Sequence, residues 1–121
     1  MYREDIKHLT KENTYFRMVL HTGKYSQIVV MSIPVGEDSG AEVHPNTDQL
    51  LFFVKGEGEA ILGGEKEKVE EHDVVFVPAG KAHNFINTGD EELKFFTVYA
   101  PPEHHDGTVH KTKEDAELEE D

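Results

Sequence analysis

The chain has no cysteine among its 121 residues. That excludes disulfides, thiolate metal sites and a cysteine nucleophile, and it fits a reducing compartment. Any metal held here must bind nitrogen or oxygen. Long apolar runs are also missing. Nothing approaches the roughly 20 residues needed to span a bilayer, and the opening stretch MYREDIKHLTKEN is charged throughout, without the apolar segment of a signal peptide. The expected location is cytoplasmic, with no membrane partner. Basic residues are scarce, 12 against 25 acidic ones, for a formal net charge of −13. Such a balance disfavours nucleic acid, anionic membranes and polyanionic substrates. Part of the excess is local: residues 101–121 carry eight acids and two lysines, a charge of −6.

Catalytic signatures are equally sparse. There is no Gly-x-Ser-x-Gly elbow, Walker loop or dinucleotide fingerprint, and the Gly-Glu-Gly and Gly-Gly sequences join strands where phosphate loops precede helices. Paired carboxylates are absent from the expected interior; Glu37, Asp38 and Glu42 crowd the approach to His44 but sit in a loop. No inward lysine or arginine is evident, so histidines are the expected inward cations and a sugar-phosphate isomerase is the weakest of the enzyme readings.

What is present is a succession of short strands. The length fits one domain, divided into an arm over residues 1–13, a barrel over 14–100 and an acidic tail over 101–121 whose end is helical or disordered. Apolar alternation predicts strands at 14–20, 27–33, 49–54, 59–62, 66–70, 73–77, 82–87 and 93–100, punctuated by glycine, proline, asparagine and aspartate. The run Gln49 to Val54 is apolar on both faces once past Gln49, as expected of a covered central strand. Strand 66–70 is charged around Val69 and reads as an exposed edge. With no ten-residue helical pattern before the tail, the fold class is all-β, an antiparallel barrel or sandwich.

The polar residues cluster just before the central strand, in GAEVHPNTDQLLFFVKGEG. In an extended segment His44 and Asn46 share a face. Gln49 heads a buried strand, where an amide needs hydrogen-bond partners and an apolar residue would pack better. Asn46 and Asp48 also suit a turn, capping backbone groups with their side chains. His104, His105 and His110 follow the last strand and either close over the barrel mouth or lie in a flexible tail.

Two signatures in this pattern resemble the cupin superfamily. Pro78-Ala79-Gly80-Lys81-Ala82-His83, with Asn87 four residues on, is similar to the second cupin motif, except that His72 stands where that motif usually begins with glycine. His44, Asn46, Gln49 and Gly56 stand in the places of the first motif's two histidines, carboxylate and glycine, with a shortened gap before Gln49. The segment Pro101 to Thr112 resembles the endings of small single-domain cupins, some of which are labelled by analogy with mannose-6-phosphate isomerase. The resemblance implies a double-stranded β-helix, the jelly-roll cupin barrel. It also implies one divalent transition metal (Zn, Mn, Fe, Ni or Cu) held inside by His44, Gln49 and His83, with Asn46 a further candidate. All four are neutral where the usual set carries one negative charge, which lowers the expected affinity unless a ligand supplies an anion.

Leu51, Phe53, Phe85 and Tyr99, with Met31 and Phe96, are expected to wall a small, largely apolar pocket. The leading expectation is a metal-binding protein that acts on or binds a small oxygen-bearing metabolite, as an oxidoreductase or isomerase if it is an enzyme. The alternative is a metal-free binding or sensing module. A homodimer is expected, built on strand 27–33 and the arm.

Overall fold

A computed structural model describes residues 1–119. In chain order the elements are α1 (Ile6–Glu12), β1 (Arg17–Thr22), β2 (Gln27–Ile33), β3 (Asp48–Lys55), β4 (Glu57–Leu62), β5 (Glu65–Glu70), β6 (Val74–Val77), β7 (His83–Asn87), β8 (Leu93–Ala100), β9 (Val109–His110) and α2 (Lys113–Leu118). Every strand pair is antiparallel. One sheet runs β6-β3-β8-β2-β1-β9 and a smaller one β5-β4-β7. The two face each other as the expected jelly-roll.

Cross-strand register explains where polar and apolar side chains fall. Residues directly opposite one another share a face, and the inward rows of the larger sheet change character along the barrel. Gln27, Tyr99, Gln49 and Val77 form the row at one end, followed by Val29, Thr97, Leu51 and Val75, then Met31, Phe95 and Phe53, and finally Ile33 with Leu93. The far end is therefore sealed by packing, and polar chemistry is confined to one mouth. Phe53, Phe85 and Phe95 meet ring to ring at 5.3 to 6.3 Å in the middle. Between them they remove large apolar areas from water, each ring contributing roughly 2 to 3 kcal/mol.

The sealed end also explains the motif residues that carry no chemistry. Asn87, 2 % exposed, donates to the carbonyls of Ile33 and Glu91 and accepts from the Gly89 N–H, stapling the turn into β8. At the opposite end, beside the mouth, Asp48 accepts from the Ala79 N–H at 2.9 Å, a turn-capping role. His72 adopts φ +78°, a left-handed conformation that disfavours any residue with a Cβ. Glycine is usual at this motif position for that reason. His72 is exposed, so His72→Gly should raise stability by about 1 kcal/mol. Chemical denaturation checks it, and an unchanged midpoint would mean that the strain is relieved elsewhere.

Helix α1 lies on the outer face of the larger sheet over β2, β3 and β8. Asp5 caps its start by accepting from the His8 N–H, and the buried Lys94 donates its Nζ to the Lys11 carbonyl at 2.8 Å, capping its end. Val30 is fully buried there, so the outer face of β2 that was expected to meet a second copy is already partly covered by the chain's own arm.

The segment expected to be a tail returns to the barrel. β9 pairs with β1 through Arg17↔His110 and Met18↔Val109. The buried amide of Gln27 grips residues 103–104: its Oε1 accepts from the Glu103 and His104 N–H groups at 3.2 and 3.0 Å, and its Nε2 donates to the His104 carbonyl at 2.7 Å. Helix α2 starts on a capping box of Thr112 and Asp115. Lys113 on its first turn pairs with Asp38, which also accepts from Asn84. Those hydrogen bonds hold the Asp38 carboxyl below the usual carboxylate range.

Candidate functional site

The polar mouth assembles from four separate parts of the chain. His83 opens β7, immediately after the Pro78 to Gly80 turn. The preceding loop is drawn alongside it, with Glu42 exchanging both backbone hydrogen bonds with His83 at 2.9 Å, while the Gly80 N–H donates to the His44 carbonyl at 2.8 Å. These backbone bonds bring the two imidazoles together, their centroids 5.1 Å apart. His44 then packs edge-on against Tyr99 at 5.7 Å, and Tyr99 lies opposite Gln49 across β8 and β3. His44, Gln49, His83 and Tyr99 are all buried, between 2 and 6 % exposed.

Proton positions follow from the partners. His83 Nδ1 is 2.9 Å from the Lys81 carbonyl. A carbonyl only accepts, so Nδ1 carries the hydrogen and Nε2 keeps its lone pair. Burial holds the His83 pKa below the usual histidine value. Gln49 Nε2 donates to Thr97 Oγ1 at 3.1 Å, and Thr97 passes its own hydrogen to the Leu50 carbonyl at 2.8 Å. That orientation leaves Gln49 Oε1 buried without a partner. Burial also drives the Tyr99 pKa up, keeping the phenol protonated.

The mouth is completed by the approach loop and by the segment after β8. Glu42 and Glu103 flank His44, with carboxylate oxygens 3.8 Å from its Nε2 and 3.4 Å from its Nδ1. His104 stands edge-on to Tyr99 at 5.0 Å. Burial, then the nearby Arg17 charge, depresses its pKa to about 3, and its Nε2 is buried without a partner. His110 is buried too, so His104 and His110 both pack against the barrel. His105 is exposed.

The expectation that no arginine points inward is overturned by Arg17, 6 % exposed on β1. Its Nη1 lies 3.3 Å from His110 Nδ1. Guanidinium only donates, so His110 accepts there and donates from Nε2 to Glu119 at 2.7 Å. Only the mixed alternation of 16–20 hinted at this. Phe16, Met18 and Leu20 fall on the other face from Arg17 and Val19, and both faces bury residues.

Other expected site residues lie elsewhere. Asn46 is exposed in the turn after His44 and does not reach the mouth by burial. Leu51, Phe53, Phe85 and Tyr99 all belong to the packed core, and of these expected walls Phe85 meets the His83 ring at 6.0 Å and Tyr99 meets that of His44. Phe96 is on the outer face, stacked on Phe52 at 4.8 Å, because strand alternation puts it opposite in sense to Phe95 and Thr97. Met31 is inward and buried.

The fold family implies a metal. Among the described residues no group of three or more His, Asp or Glu side chains is arranged to hold an ion. The mouth offers two imidazoles and the unpartnered Gln49 carbonyl, a neutral nitrogen and oxygen set suited to a first-row divalent ion. The His83 Nδ1–H on a backbone carbonyl is the outer hydrogen bond that orients a ligating imidazole.

Comparison with known proteins agrees with the geometry. A Cupin domain family model matches residues 29–99. The uncharacterised protein YrkC of Bacillus subtilis is 46% identical over 97% of this chain, which spans 66% of that relative's length. The crystal structure of BH2720 from Bacillus halodurans superposes with a TM-score of 0.96 at 41% identity, covering 98% of this chain and 94% of that one. An oxalate-binding protein of Thermotoga maritima is 29% identical over 56% of both chains. No helix among the described residues is long and apolar enough to cross a membrane. With the two motif histidines meeting at one end of a double-stranded β-helix, and with the family model spanning most of the barrel, the chain belongs to the cupin domain family.

Proposed function

We propose that the protein holds one divalent transition metal through His44, His83 and Gln49 and binds a small oxygen-bearing metabolite at the same mouth. The observation that carries this is the unpartnered Gln49 Oε1. A buried amide oxygen without a hydrogen bond costs about 1 to 3 kcal/mol. The Thr97 bond takes the amide's Nε2 and leaves the oxygen free, as a positioned ligand requires. His83 is held as the Nδ1–H tautomer for the same use. An ion bound there supplies Lewis-acid chemistry or, if redox-active, activates oxygen. Tyr99 stays protonated and is a hydrogen-bond donor to a bound oxygen, while residues 103–104 exclude water from above. The oxalate-binding relative supports a small oxygen-rich ligand.

A second reading, a metal-free binding module, is favoured by one observation: among the described residues no three His, Asp or Glu side chains converge to hold an ion. Elemental mass spectrometry on protein purified without chelator separates the two. The metal reading expects a near-stoichiometric transition metal that is lost in the His44→Ala/His83→Ala variant. It also expects Gln49→Glu, which restores a negative ligand, to bind metal roughly tenfold or more tightly. Protein that stays metal-free after reconstitution sinks it.

A further inference from the structure

The buried Arg17 guanidinium is left incompletely paired. Nη1 is spent on His110, and His110 is itself fixed by Glu119. The ring of Phe16 lies 5.2 Å from its Cζ, covering one face. The remaining edge, Nε with Nη2, is the side-on fork that matches the two oxygens of a carboxylate. Nε is buried without a partner, the Tyr99 phenol accepts a hydrogen bond from the guanidinium, and Nη2 has the Glu42 carboxylate at 3.8 Å, beyond hydrogen-bond distance. A buried arginine cannot shed its charge, and leaving its fork unpaired is costly.

Glu42 holds neither of its neighbours closely. One of its oxygens is 3.8 Å from Arg17 Nη2 and the other 3.8 Å from His44 Nε2, and the side chain is 35 % exposed. It hovers between the guanidinium and the imidazole, where a tighter-fitting carboxylate would bridge both. A recess of about 400 Å³ opens onto this point from outside, lined by Phe16, Arg17, Ser39, Glu42 and Ala116 among others.

We propose that Arg17 is the carboxylate-recognition residue of the mouth: a small carboxylate enters by this recess, takes the Nε/Nη2 edge in a bidentate pair and displaces Glu42 outward. His110 and Glu119 are positioning residues that aim the fork. The displaced Glu42 swings towards solvent, where its charge is hydrated, so the exchange trades a loose pair for a close one. A carboxylate is assigned because the group already standing at this edge is the Glu42 carboxylate, whose place the ligand takes, in a recess lined by Lys113 as well as by Glu42 and Glu117. This inference rests on the mouth being a ligand site and names the class of its ligand.

The test is calorimetric titration of the full chain with malonate, with inorganic phosphate and with the neutral diamide malonamide, in parallel with metal analysis of each variant. The expected result is malonate binding by the native protein and no binding of malonamide. Arg17→Lys, which keeps the charge and loses the fork, weakens malonate at least tenfold with metal content unchanged. Glu42→Gln, which removes the competing carboxylate at a partly exposed position, tightens it several-fold. Equal malonate affinity in native and Arg17→Lys protein, binding of phosphate without malonate, or no malonate binding even by Glu42→Gln overturns the proposal. Metal content separates the two readings. Metal bound without malonate defeats this inference alone, and Arg17-dependent malonate binding without metal defeats the metal reading alone.

Discussion

Gly58→Ala lowers the melting temperature by roughly 10 °C, a loss of about 3 kcal/mol. Gly58 sits on β4 opposite Asn87 of β7 and beside Leu93 of β8. A Cβ added there would lie 2.4 Å from the Ile86 carbonyl oxygen and 2.9 Å from Leu93 Cδ2. The first of these atoms is backbone within a paired strand, and Leu93 is fully buried, so neither can yield without breaking the ladder or opening the sealed end. Gly64→Ala is the control: it meets nothing within 4 Å and needs no positive φ, so it should change stability by no more than about 0.5 kcal/mol. Thermal melts of the pair check the claim, and equal melting temperatures would show that the two sheets have slack where the packing shows none.

Gln27→Leu is the second large effect. The native side chain is 1 % exposed and makes four hydrogen bonds, to Thr22, to the His104 carbonyl and to the Glu103 and His104 N–H groups. Leucine has a similar volume but leaves those backbone groups without partners, at about 1 to 3 kcal/mol for the worst of them. The expected total is about 3 kcal/mol, concentrated on the segment that covers His44. Limited proteolysis should therefore cleave the variant between residues 101 and 108 while the strand core stays protected, as happens when one cooperative unit opens below the global unfolding free energy. Cleavage identical to native protein would mean that β9 and α2 hold the segment without Gln27.

Much of the barrel was legible in sequence because its strands are locally encoded. Strands 27–33 and 93–100 were bounded correctly, the first by alternation and Pro34, and β5 was recognisable as an edge from its charges. The paired motifs placed His44 and His83 because a Pro-x-Gly turn fixes the direction of the next strand. Arg17 was not legible. A charged residue inside a strand is ordinarily assigned to the solvent face, and nothing within β1 distinguishes a guanidinium that stays wet from one that is buried. The cover over the mouth was hidden for a related reason: Gln27 and His104 are 77 positions apart, and a histidine in a polar, acidic stretch looks solvated until its partners are known.

By itself, then, the sequence determined the fold class, the positions of most strands, the two motif histidines and the restriction of any metal site to nitrogen and oxygen donors. These depend on side-chain period, turn chemistry and residue type, all of which act over a few positions. Only the tertiary structure decided that Arg17 faces inward against His110, 93 residues away, that Gln49 keeps an unpartnered oxygen, and that the segment after Ala100 closes the mouth. A buried charge or amide is tolerable only where distant parts of the chain supply its partners, and that supply exists only once the barrel has closed.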